Sequence, residues 1–251
     1  MTRIISCASG KGGPGKTTIM ANLGVALAEL GVNVVAVDTN LTTPNLGIHL
    51  GVPLYPSTLH DVLKGKLKIE DAMYSHYSGL KVVPAGISLK DIRGVHVGDL
   101  PASLLPLVGA HDVVLLDSAA GLGREALASL EAADELLVIT TPDLPSVTDA
   151  FKAAKLAERM NTRVIGVVIN RVSGKKHEIT PWYIHRMLDA PILSVIPEDV
   201  QVQKALAART PVVHFDPKSK ASRELRKTAS YIAGYGYRDY QKSLFGRMFG
   251  R

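Results

Sequence analysis

Short runs of Val, Ile and Leu alternate along this chain with longer stretches in which apolar positions recur every three or four residues. The runs fall at 3–8, 33–37, 80–83, 112–116, 135–140, 163–169 and 192–196. They lack an apolar–polar alternation, so they predict strands buried on both faces, as in a parallel sheet covered by helices. The helical periods fall at 17–30, 58–63, 101–108, 124–132, 146–159, 181–188, 202–208 and 222–232. Strand and helix taking turns predicts an α/β fold, three layers α/β/α around a mostly parallel, doubly wound sheet. No repeat or linker divides the pattern, so residues 1–233 read as one domain. Gly-Tyr-Gly-Tyr at 234–237 then breaks the helical period, and 234–251 reads as a flexible tail.

Composition narrows the class. Of 251 residues, 46% are hydrophobic and 21% charged, enough apolar material to bury a core without disulfides or metals. The lone cysteine, Cys7, sits in an apolar run and reads as a small core residue. It supplies no disulfide and no cluster-binding set, which argues for a reducing compartment and against an iron–sulfur carrier. No run reaches the ~18 apolar residues of a membrane span, and the start lacks a signal-peptide pattern, so a cytoplasmic location is expected. The net charge is +6, and its source is local. From Lys218 onward nine basic residues face two acidic ones, an excess larger than that of the whole chain.

The sharpest motif runs from Gly10 through Lys11, Gly12, Gly13, Pro14, Gly15, Lys16, Thr17 and Thr18, a full G-x-x-x-x-G-K-[ST] pattern between a strand and a helix. Glycines let the backbone wrap phosphates, and a helix N-terminus favours their charge. Lys16 is placed to neutralise the β- and γ-phosphates of ATP, and the Thr17 hydroxyl to hold Mg²⁺. Pro14 withdraws one N–H from that cradle. Two carboxylates, Asp38 and Asp117, sit at the ends of apolar runs, where P-loop enzymes place acids near the metal. His60, His76, His96, His177 and His185 show no ligand spacing.

The run Lys-Gly-Gly-Pro-Gly-Lys-Thr-Thr resembles the deviant Walker A signature of the MinD/ParA ATPases, and motif order is similar across about residues 2–233, closest to MinD-like members. The resemblance implies a P-loop NTPase fold, ATP and Mg²⁺ as cofactors, and slow hydrolysis to ADP and phosphate. It implies that Lys11 reaches a second subunit's phosphates, so that ATP joins a homodimer. Asp117 then belongs to the Walker B strand and Asp38 to the first switch, both near the metal, with Asp38 also near the attacking water. MinD-like members usually carry an aspartate where this chain has Asn40. An amide orients water but takes no proton at neutral pH, which predicts slow turnover. Asn170 and Arg171, expected just after the strand that ends at Ile169, resemble the adenine-reading position. Pro197, Glu198 and Asp199 resemble the loop on the adenine's other side, and Ser146–Asp149 a dimer-facing helix.

On a helical wheel of residues 240–251, Tyr240, Leu244, Phe245, Met248 and Phe249 share one half, with Lys242 and Arg247 on or beyond the other. A short, basic amphipathic helix of this kind reads as an interfacial anchor on an anionic membrane. MinD-like proteins end similarly. Twelve residues are about 18 Å of helix, too short to span. Two tails held together would bind where one is marginal, so ATP-bound dimers are expected on the inner membrane face.

The leading function is therefore a spatial switch for a division site, polar complex or motility apparatus, with an unspecified regulatory or cargo protein. A ParA-like DNA-segregating ATPase would use the basic C-terminal residues on phosphates, but the aromatic stripe makes DNA the weaker partner. A non-catalytic ATP-binding adaptor is the third class, and Asn40 supports it.

Overall fold

The computed structural model describes residues 1–9, 12–52 and 55–235. Eight strands form one sheet: β1 Arg3–Ala8, β2 Val34–Asp38, β3 Tyr74–Ser75, β4 Lys81–Val83, β5 Val113–Asp117, β6 Glu135–Thr140, β7 Arg163–Val172 and β8 Ile192–Pro197. Their order is β3-β4-β2-β5-β1-β6-β7-β8. Every neighbouring pair is parallel except β3 with β4. The strand leading into the glycine motif thus lies in the middle.

Eleven α-helices are described: α1 Lys16–Glu29, α2 Leu46–His49, α3 Leu59–Leu63, α4 Leu89–Ile92, α5 Leu100–Leu104, α6 Arg124–Glu131, α7 Leu144–Arg159, α8 Pro181–Leu188, α9 Val200–Ala207, α10 Val212–Phe215 and α11 Lys220–Ile232. Successive strand residues face opposite layers. Ile5, Val34, Ala36 and Leu115 pack with α1 and α11, whereas Ile4, Val35, Val37 and Leu116 pack with α3 and α5. On the other half of the sheet Leu136 and Val138 pack under α7 and α8. Both faces are therefore dry, which explains why the strands read as unbroken apolar runs. Each large side chain so buried contributes roughly 1.5–3 kcal/mol.

Several boundaries differ from the sequence expectation, each for a local reason. The helix expected over 101–108 stops at Leu104 and tightens into a 3-10 turn, Leu105–Leu107, because Pro106 has no N–H for the α-helical ladder. α7 and α11 begin two residues early on the side-chain caps Asp143 and Ser219. β7 runs on past Ile169 to Val172. The short elements β3, α2, α4 and α10 have too few residues to show a period.

At the strand-start edge, the buried Glu135 of β6 accepts hydrogen bonds from Arg3 of β1 and from Arg163 of β7. Arg3 also donates to the carbonyl of Ile232, the last residue of α11. The tail anchor expected at 240–251, with Leu244, Phe245, Met248, Phe249, Lys242 and Arg247, lies outside the described residues, as do Gly10 and Lys11. Among the described residues no helix is long and apolar enough to cross a membrane.

Candidate nucleotide site

The site begins where β1 gives way to the glycine motif. Gly13 and Gly15 adopt positive φ, 102° and 95°, a region costly for any residue with a Cβ. Gly15 is the N-cap of α1 and offers no side-chain acceptor, so α1 starts with N–H groups that no side chain caps. That is an anion site in waiting. A Cβ at Gly15 would also meet the Asn170 amide nitrogen at 2.6 Å. Lys16, the first residue of α1, is buried and donates to the Ser9 hydroxyl at 2.7 Å. Its partner Ser9, at the end of the strand's run, was not singled out from the sequence.

Asp38 ends β2 and Asp117 ends β5, and the two are register partners on adjacent strands. Each is only 1% exposed. Burial pushes the Asp117 carboxyl up to about 6, against the lowering effects of the Thr17 hydrogen bond and the Lys16 charge. Asp38 is raised too, by burial and then by the neighbouring Asp117. Beneath them Cys7 points its sulfur at Asp117 Oδ1 from 3.7 Å. Burial raises that thiol to about 12, so it is inert packing.

The two acids do different work. Among the described residues, Asp117 Oδ2 is buried without a hydrogen-bond partner, while Thr17 bonds the same carboxylate. An orphaned carboxylate oxygen beside a hydroxyl, under a phosphate loop, fits the hard, oxygen-seeking Mg²⁺. Asp38, expected at the metal as well, has its oxygens engaged. Oδ2 accepts from the backbone N–H groups of Asn45 and Leu46 at 3.1 and 3.0 Å, and Oδ1 from Asn40 at 3.2 Å. In this conformation it folds the 38–46 loop rather than offering a ligand. No group of three or more His, Cys, Asp or Glu among the described residues is placed to hold a metal. Mg²⁺ here would rest on Thr17, Asp117 and the phosphates themselves.

Asn40, the expected catalytic position, is half-buried and turned onto its own loop. Its amide donates to the Thr43 carbonyl at 2.7 Å and accepts from the Thr43 hydroxyl at 3.1 Å. Further along, Thr42 bonds Glu125 of α6, and Thr39 bonds the Asp117 carbonyl and Ser129. The loop is thus stitched to the strand and helix that flank Asp117, a set of contacts with no sequence signature.

The base side is a cleft between α1 and the ends of β7 and β8, lined by Gly15, Asn170, Arg171, Pro197, Glu198 and Asp199. Asn170 and Arg171 do not follow β7 but belong to it, and Arg171 has φ 57°. The Asn170 amide donates to the Pro14 carbonyl at 2.6 Å, which pins the phosphate loop to the base cleft. Asp199 lines the cleft but its carboxylate is occupied by the N–H groups of Gln201 and Ala221. It caps α9 and holds the start of α11, shaping the wall rather than reading a base. Val202, Leu206 and Leu225 add to the apolar wall, and in the sequence they are indistinguishable from ordinary helix core positions.

A glycine loop over an uncapped helix N-terminus, a buried lysine and a strand-end aspartate with a free oxygen define a P-loop nucleotide-binding α/β domain. The chain belongs to the CobQ/CobB/MinD/ParA nucleotide binding domain family, whose model it matches over residues 5–212, and within it is MinD-like. It is 38% identical to an ATP-binding protein of Methanocaldococcus jannaschii, with 98% of each chain covered. It is 35% identical to the septum site-determining protein MinD of Thermotoga maritima, over 94% of this chain and 90% of that one. The structure of MinD from Pyrococcus horikoshii complexed with Mg-ADP superposes with a TM-score of 0.90 at 36% identity, covering 92% of this chain and 96% of the other.

Proposed function

We propose that this chain is a MinD-like ATPase that works as a spatial switch: bound Mg²⁺ and ATP pair two copies, and the pair holds to an anionic membrane. The observation that carries the nucleotide part is the α1 N-terminus without a side-chain cap, whose Lys16 and Thr17 act on the Asp117 carboxylate while its Oδ2 has no hydrogen-bond partner among the described residues. The similarity to the Thermotoga MinD supports the switching part. So do Lys11 and the stripe of Leu244, Phe245, Met248 and Phe249, read from the sequence. A triphosphate leaves negative charge that one Lys16 does not compensate, and a second lysine from a partner would supply the rest. Hydrolysis removes that reason to stay paired and returns the protein to the cytoplasm.

The test is sizing with ADP, with ATP and Mg²⁺, and with ATP plus anionic liposomes, using Lys11→Ala and a chain lacking residues 240–251. The expected results are pairing with ATP only, loss of pairing in Lys11→Ala, and loss of liposome binding on truncation with pairing retained. A protein that stays single when saturated with a non-hydrolysable triphosphate ends the switching proposal. A second reading, an ATP-binding adaptor without turnover, rests on Asn40, whose amide is tied to Thr43. A protein that binds ATP but releases no phosphate over many hours, with or without liposomes, would favour it.

A further inference from the structure

His60 lies on α3 and is fully buried, with 0% exposure. Its Nδ1 accepts the backbone N–H of Gly86 at 2.9 Å. A backbone N–H only donates, so the ring proton must sit on Nε2, which then donates to the Leu41 carbonyl at 3.1 Å. One imidazole thus joins the middle of the 38–46 loop to the segment that follows β4. The same segment is tied to the start of α3 a second time, through Leu59 N–H and the Pro84 carbonyl at 2.7 Å. The loop it holds carries Asp38 and Asn40, and Leu41 directly follows Asn40.

We infer that His60 is a positioning residue for ATP hydrolysis: its neutral imidazole fixes the Leu41 carbonyl, and thereby keeps the 38–46 loop seated against Asp117 and α6. The inference rests on the ATPase reading above and names a part of that site which phosphate chemistry alone would not reveal. A loop displaced by even about 1 Å costs up to ~10²-fold in rate. The base cleft and Lys16 are untouched by His60, so ATP binding is not its task. A second proton on the ring would face the Gly86 N–H and break the arrangement. Burial opposes that proton, as does Lys64, the residue just after α3. Asp91 from the segment after β4, the Leu41 carbonyl and Asp61 act the other way, and the net effect holds the imidazole below its usual range.

The two hydrogen bonds can be separated by substitution. The amide nitrogen of Gln reaches the Nε2 position and serves Leu41, whereas the amide oxygen of Asn reaches the Nδ1 position and serves Gly86. His60→Asn should lower kcat about tenfold or more with KM for ATP within about twofold of wild type, and His60→Gln should recover most of that loss. Backbone amide exchange over residues 38–46 should rise in His60→Asn and stay near wild type in His60→Gln. In the wild-type protein, ¹⁵N spectra should place the His60 proton on Nε2 at pH 7. Wild-type kcat in folded His60→Asn, or equal losses of stability and rate in both variants, overturns the inference. So does an Nδ1–H tautomer, which requires no variant to fold. A wild-type protein without measurable turnover would count against the ATPase reading, and the exchange and ¹⁵N results would then decide the role of His60 alone.

Discussion

Replacing Asp117 by Asn should make the metal-free protein more stable while destroying its response to Mg²⁺. The native Asp117 carboxyl keeps its proton up to about pH 6, whereas an unfolded aspartate gives it up near 3.8. Between those values the folded state binds more protons than the unfolded one, so stability is lost as pH rises through the interval. The loss amounts to about 3 kcal/mol at pH 8 and roughly half that at pH 5. An asparagine cannot ionise and escapes it. In magnesium-free buffer Asp117→Asn should therefore exceed wild type by about 3 kcal/mol at pH 8, a Tm gain of roughly 6–12 °C for a chain of this size, and by about half that at pH 5. Adding Mg²⁺ with ATP should raise the wild-type Tm and leave the variant behind, because the cation then neutralises the carboxylate whose burial was the cost. Thermal unfolding at the two pH values, with chelator and with Mg²⁺ and ATP, measures all four quantities. A gap that does not narrow from pH 8 to pH 5, or a variant less stable than wild type at both, refutes the argument that a buried, ionised Asp117 strains the metal-free fold.

Asn40→Asp restores a carboxylate but loses the amide donor to the Thr43 carbonyl; turnover should rise by about tenfold or more, and phosphate release at saturating ATP reads it. Gly15→Ala places a Cβ where φ is 95° and 2.6 Å from the Asn170 amide; nucleotide affinity, followed by calorimetry, should fall about tenfold or more. Glu135→Ala should cost about 1–2 kcal/mol in urea unfolding at pH 7, since the part-exposed Arg3 and the exposed Arg163 lose their shared acceptor. Burial pushes Glu135 up but the hydrogen bonds from Arg3 and Arg163 outweigh it and hold its carboxyl below the usual 4.5. Its contribution is present above that value and lost as pH falls below it, so the deficit should shrink in acid.

What could be read in advance was whatever leaves a periodic or fixed-spacing trace. The seven apolar runs became strands because a covered parallel sheet tolerates no polar face, and Gly10 to Thr18 announced phosphate because the wrapping geometry demands glycines. The doubly wound sheet followed from the same alternation. Contacts between distant segments left no such trace. Nothing around His60 distinguished it from His177, since its partners are backbone groups at Leu41 and Gly86. The roles of Asp38 and Asp199 were legible only as acids at the right places; that their oxygens hold backbone N–H groups depends on loop conformation. Edge pieces such as β3 were silent because two residues carry no period.

Arg3 stands at the first residue of β1 and the phosphate loop follows the last, so the end of α11 and the nucleotide lie at opposite poles, about 20 Å apart along the strand. Whatever chain leaves the domain beyond Ile232 sets out from the side facing away from ATP. Arg3, held by Glu135 and bonded to the Ile232 carbonyl, thereby fixes the end of α11 at the pole of the sheet opposite the phosphate loop.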